Sequence, residues 1–92
     1  MQYKQTIKTF ITMENTLKIG SKVMWRGAWG FEPAEETTIE SIELCENGDK
    51  YGVPIDDCNE DNYLDCVFNL SNGHWCYGDQ IDWDDSLALN NN

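Results

Sequence analysis

The chain has 92 residues, with seventeen acidic against six basic side chains, a formal charge of −11, and 40% hydrophobic and 12% aromatic content. Such a length supports one domain with one core, the apolar content argues against disorder, and the charge disfavours direct nucleic acid binding, which relies on Lys and Arg to displace counterions from phosphates. No apolar run reaches the roughly 18–20 residues that cross a bilayer and the N-terminus lacks a secretory pattern, so a cytoplasmic protein with no membrane partner is expected.

Residues 1–16 hold Lys4, Lys8 and one apolar cluster of Ile7, Phe10 and Ile11, and read as an N-terminal extension, loosely ordered or added as an edge strand. The main domain is expected over residues 17–85. Its first strand spans 18–26, where alternation places Val23 and Trp25 on one face and Lys22, Met24 and Arg26 on the other. A Gly-rich loop over 27–34 follows, too long for a tight hairpin and carrying Trp29 and Phe31. Residues 37–45 are β-branched and read as a second strand, in which Ile39, Ile42 and Leu44 break strict alternation and predict a bulge.

Asn47-Gly48 marks a turn, and residues 51–55 read as a third strand kept to an edge by Pro54, which has no N–H for a ladder. Residues 56–62 form an acidic loop. The strongest signal follows, an Asn72-Gly73 pair between two apolar runs, which predicts a hairpin with a two-residue turn. With Ser71 opposite His74, Leu70 faces Trp75, Asn69 faces Cys76 and Phe68 faces Tyr77. Leu70, Trp75, Phe68 and Tyr77 then share the inward face, joined by Trp25. Residues 78–83 are expected to end the sheet in a one-turn helix or bend, and 86–92 to form a disordered tail. The sum is an all-β domain, a small barrel of about five short strands with a long first loop.

The succession Gly20-Ser21-Lys22-Val23-Met24-Trp25, the Gly/Trp loop, the Thr/Ile/Glu strand and a hairpin closing on Tyr77-Gly78-Asp79-Gln80-Ile81 resembles the SH3-like barrels, including the Tudor-type ones. The stretches Val23-Met24-Trp25-Arg26-Gly27 and Asn72-Gly73-His74-Trp75-Cys76-Tyr77-Gly78-Asp79-Gln80-Ile81 are also similar to small proteins of gut bacteria and their phages. The resemblance covers residues 17–83 and implies an SH3-like fold; it carries no particular activity.

Four cysteines, Cys45, Cys58, Cys66 and Cys76, are expected as reduced thiols, since the predicted register turns Cys66 and Cys76 to opposite faces. Their separations of 13, 8 and 10 positions, with His74 as the one imidazole, do not suit a zinc site. Asp57-Cys58-Asn59-Glu60-Asp61-Asn62 opens like a calcium loop, but Asn62 stands where the turn needs Gly and Phe68 where a bidentate Glu belongs. A lone His beside a turn and no Gly-rich phosphate loop predict a protein that is not an enzyme and needs no metal or cofactor.

Binding is what the composition favours. Trp29, Phe31, Tyr51, Tyr63 and Trp83 lie in or beside loops, and with the carboxylates of Asp56, Asp57, Glu60 and Asp61 they would hold a cationic side chain by charge and cation–π attraction. The expectation is a non-catalytic interaction module with an acidic surface for a basic protein or peptide, its contacts made by Trp29, Phe31, Asp56, Asp57, Glu60, Asp61, Tyr63 and Trp83. Two alternatives share the same composition: a phage-type inhibitor that presents carboxylates in place of nucleic acid phosphates to a host protein, and a structural or assembly component.

Overall fold

Alternating apolar and polar residues along short β-branched runs make strands the dominant element of the described residues. The computed structural model describes residues 15–45 and 52–91; the expectations for residues 1–14, for the Asn47-Gly48 turn and for Tyr51 lie outside the described residues. Among the described residues the elements are, in chain order, β1 (Thr16–Lys18), β2 (Lys22–Trp25), β3 (Glu35–Leu44), β4 (Val53–Ile55), β5 (Asp57–Asn59), β6 (Cys66–Leu70), β7 (Trp75–Tyr77), β8 (Ile81–Asp82) and the helix α1 (Trp83–Asn90). Single 3₁₀ turns, Tyr63–Asp65 and Gly78–Gln80, precede β6 and β8.

Six strands form a sheet in the order β7-β6-β3-β2-β8, with β4 also on β3, and this sheet curls into a half-barrel; β1 and β5 form a separate two-stranded ribbon. All pairings are antiparallel. The ten-residue β3 is the spine, pairing with β2 through its first half, with β4 through its second, and with β6 along the other edge. The bulge expected from Ile39 and Ile42 is present: the register shifts between Ile39 and Ser41, which turns both isoleucines inward. Pro54 sits on β4, whose sole strand partner among the described residues is β3, so its missing N–H costs no ladder bond.

Three expectations about the strands need correction. The predicted first strand is two, because Gly20 adopts φ +94° and the Ser21 N–H donates to the Lys18 carbonyl (2.9 Å), reversing the chain between β1 and β2. The acidic loop is partly strand, since β5 pairs with β1 and buries Cys58 opposite Leu17. The hairpin lies where predicted but one residue out of register: Phe68 faces Cys76, Asn69 faces Trp75 and Val67 faces Tyr77. A three-residue loop, Ser71-Asn72-Gly73, replaces the two-residue turn, closed by Leu70 N–H to the His74 carbonyl (2.8 Å), with Gly73 at φ +89°. A slip of one residue exchanges the faces of a strand. Cys76 is therefore buried while Trp75 and Tyr77 are exposed, and Cys66 and Cys76 both point inward instead of to opposite faces.

Residues 83–90, expected as the end of the domain and the start of a tail, form α1. Its N-cap is Asp82, whose side chain accepts the Asp85 N–H (3.3 Å). Ser86, fully buried, donates to the Asp82 carbonyl (2.6 Å) and accepts the Met24 N–H (2.9 Å). Asn90 accepts the Lys22 N–H (2.9 Å) and donates to the Lys22 carbonyl (2.8 Å). Two side chains four residues apart thus act as a strand along the edge of β2 where β8 ends. The Asp82 charge, more than the neighbouring Asp84, pushes the Asp85 carboxyl above the usual carboxylate range.

The core comprises Leu17, Val23, Trp25, Ile39, Ile42, Phe68, Leu70, Ile81 and Trp83, filled out by Cys58, Cys66 and Cys76 as small hydrophobes.

Candidate binding surface

The register of the hairpin creates the most distinctive surface of the molecule. Trp75 and Tyr77, two apart on β7, stand on its outer face 56% and 54% exposed, their rings 5.3 Å apart in an edge-to-face pair. β7 ends the sheet order, so its far edge has no strand neighbour among the described residues.

Gln80 joins this strand to the Gly-rich loop. Its Oε1 accepts the Tyr77 N–H (2.7 Å), while its Nε2 donates to the carbonyls of Ala28 (2.6 Å) and Gly27 (3.2 Å). Arg26 adds a second tie, its N–H donating to the Gln80 carbonyl (2.9 Å) and its Nη2 to the Asp79 carbonyl (3.0 Å). Within the loop, the Glu32 carboxylate fills the space beside Gly27 (φ +78°) that a Cβ would need, and Glu32 N–H donates to the Arg26 carbonyl (3.1 Å). The loop so held presents Trp29 and Phe31, 77% and 80% exposed, away from the sheet. Between loop and hairpin runs a groove of about 360 Å³ lined by Ala28, Gly73, His74, Trp75, Tyr77 and Gln80. The His74 ring rests on buried Trp25, with centroids 4.7 Å apart, which gives the groove a firm floor.

The residues expected to form one site occupy separate places. Asp56 in the bend before β5, Asp57 on β5, and Glu60 and Asp61 in the turn after it are all exposed. That turn is organised by Asn59, whose Oδ1 accepts the N–H of Asp61 (2.8 Å) and Asn62 (3.0 Å), and by Asn62, whose Oδ1 accepts the Asn59 N–H (2.8 Å). The Asn59 oxygen, which a calcium loop would aim at an ion, is thus committed to backbone amides. Tyr63 and Trp83 stack on each other, centroids 4.4 Å apart, and Trp83 is a core residue, 7% exposed. Trp83 cannot offer a face to a partner, because the ring that begins α1 packs inward. Among the described residues no ring pair joins Trp29 or Phe31 to Tyr63 or Trp83.

Trp75, Tyr77, His74 and Gln80 escaped the sequence reading. The available signal was Gly73 as the third residue of a Ser-Asn-Gly loop, a pattern that also suits a three-residue turn with a left-handed final position. Negative charge surrounds the surface: Glu32 is in the loop and Asp79 precedes Gln80, both exposed. Comparison with protein-family models, with curated proteins and with solved structures matches this chain to none of them.

Proposed function

We propose that the protein is a non-catalytic interaction module, a small SH3-like half-barrel that receives a basic segment of another protein along β7 and the Gly27–Gln80 tie. The observation that carries this reading is the exposed Trp75–Tyr77 pair beside a groove whose opposite wall is fastened by Gln80. Large aromatic rings in solvent lose apolar contact with water only when something covers them, and Trp and Tyr are the residues that most often dominate binding energy. Their faces attract Lys and Arg, and a chain of charge −11 speeds encounter with a cationic partner. Trp29 and Phe31 extend the same contact from the loop.

The test is indole fluorescence during titration with Lys- and Arg-rich peptides. Binding that falls at least about 10-fold in Trp75→Ala or Tyr77→Ala, each still fully folded at the titration temperature, is the expected outcome. Peptides that leave the fluorescence unchanged, or alanine variants that bind as the parent does, would overturn the reading. A complex that dissolves steeply with salt and is displaced by DNA would favour the phosphate-mimicking inhibitor instead.

A further inference from the structure

The direction of the main-chain polar groups along β7 follows from its bonds. Leu70 N–H donates to the His74 carbonyl (2.8 Å), and the pairing of Phe68 with Cys76 continues that ladder, so the His74 carbonyl and the Cys76 main chain turn toward β6. Trp75 and Tyr77 turn theirs to the opposite edge, where the Tyr77 N–H donates to Gln80 Oε1 (2.7 Å). The same Gln80 amide reaches across that edge to the Ala28 carbonyl (2.6 Å). The groove between Ala28 and Trp75 therefore follows the β7 edge itself, and Gln80 closes one end of it. The other end is open: a Cβ added to Gly73 would meet nothing within 4 Å.

Gln80 acts here as a stand-in strand residue, since its side-chain amide accepts and donates as a peptide group does. It occupies the position beside Tyr77, after which the chain leaves the ladder in the 3₁₀ turn Gly78–Gln80. The outward N–H and C=O of Trp75 are the pair it does not cover, and among the described residues no strand lies beyond them.

We infer, on the basis of the basic-segment binding proposed for this surface, that the segment docks as an added antiparallel strand, one residue of which exchanges both main-chain bonds with Trp75 and lays a Lys or Arg side chain over the Trp75–Tyr77 rings. Antiparallel pairing is the arrangement in which a single residue makes both bonds, and it is the pairing of every strand described. Residues paired in this way carry their side chains on the same face, so the bonded residue is also the one that reaches the outer rings. Two residues before it the added strand meets Gln80 and ends. Main-chain bonds hold any extended segment, while the ring pair and the exposed carboxylates of Glu32 and Asp79 select the cation. A second copy of this chain is the poorer occupant, because it brings another charge of −11 to the same edge.

The test uses the full chain and the capped peptide acetyl-Thr-Val-Arg-Val-Thr-amide, with three forms N-methylated at the arginine or at either valine. Methylation at the arginine should weaken binding at least about 10-fold, and at either valine less than about 2-fold, because the valine N–H groups point away from β7. Binding of the parent peptide should also slow hydrogen exchange of the Trp75 main-chain amide at least about 10-fold and leave that of Cys76, already in the ladder with β6, nearly unchanged. Failure of the parent peptide and of every other basic peptide to bind would overturn both this inference and the reading it rests on. Basic peptides that bind while the three methylated forms match the parent, a greatest loss at a valine, or a Trp75 amide whose exchange does not slow would overturn the added strand alone.

Discussion

Replacing Phe68 with alanine is expected to cost about 3–5 kcal/mol of stability, while Trp75→Ala and Tyr77→Ala each cost about 1 kcal/mol or less. Phe68 is fully buried on β6, opposite Cys76 and beside Ile42 of β3, so its removal opens a cavity that strands on both sides prevent from collapsing. A domain of this size holds about 5–15 kcal/mol in total, and the Phe68 variant would be marginal at room temperature. Trp75 and Tyr77 leave more than half their surface in water, so truncation removes chiefly their contact with each other. Urea titrations followed by far-ultraviolet circular dichroism separate the cases. If Trp75→Ala proved as damaging as Phe68→Ala, that ring would be facing the core.

Gly78→Ala is expected to be of similar severity, about 3 kcal/mol or more. Gly78 is buried at the start of its 3₁₀ turn, where an added Cβ would run into the Tyr63 carbonyl oxygen and lie 3.0 Å from the Leu64 Cα. Both are backbone atoms, so no rotamer change relieves the overlap, and one 3₁₀ turn must move off the other. That displacement would disturb the Tyr63–Trp83 stack on one side and Gln80 on the other, coupling the loss of stability to a loss of peptide binding at the groove. Thermal melting and the peptide titration together read both effects. A Gly78→Ala protein melting within a degree or two of the parent would show that the two turns do not touch backbone to backbone.

Much of the sheet is legible in the residues themselves. Val23 and Trp25 alternate toward the core as predicted, the odd spacing of Ile39 and Ile42 marks the bulge in β3, and Pro54 lies on a strand whose partner among the described residues is β3 alone. The hairpin was visible as an element but not in register, because Asn-Gly fits either loop length and both faces of β7 offer apolar side chains, Cys76 on one and Trp75 with Tyr77 on the other. Hydrophobicity alone favoured the larger rings for the interior. The half-barrel had room for the smaller sulfur.

α1 was invisible for a different reason. Eight residues without an apolar stripe carry no helical period; the helix is fixed by the hydrogen bonds of Ser86 and Asn90 to β2, which are distant in sequence. Of the expected contact residues, Trp29 and Phe31 are exposed on the loop beside the groove, and the carboxylates of Asp56, Asp57, Glu60 and Asp61 are exposed on another element. The Tyr63–Trp83 stack depends on a chain return that local sequence does not specify.

The most direct measurement is a nuclear Overhauser spectrum of the labelled protein across the β6–β7 ladder. Cross-strand contacts of Phe68 with Cys76 and of Asn69 with Trp75 are predicted, together with Trp75 and Tyr77 ring protons open to a soluble paramagnetic relaxation agent. Contacts of Phe68 with Tyr77 and of Leu70 with Trp75, with both rings shielded, would contradict the account and remove the binding surface with it.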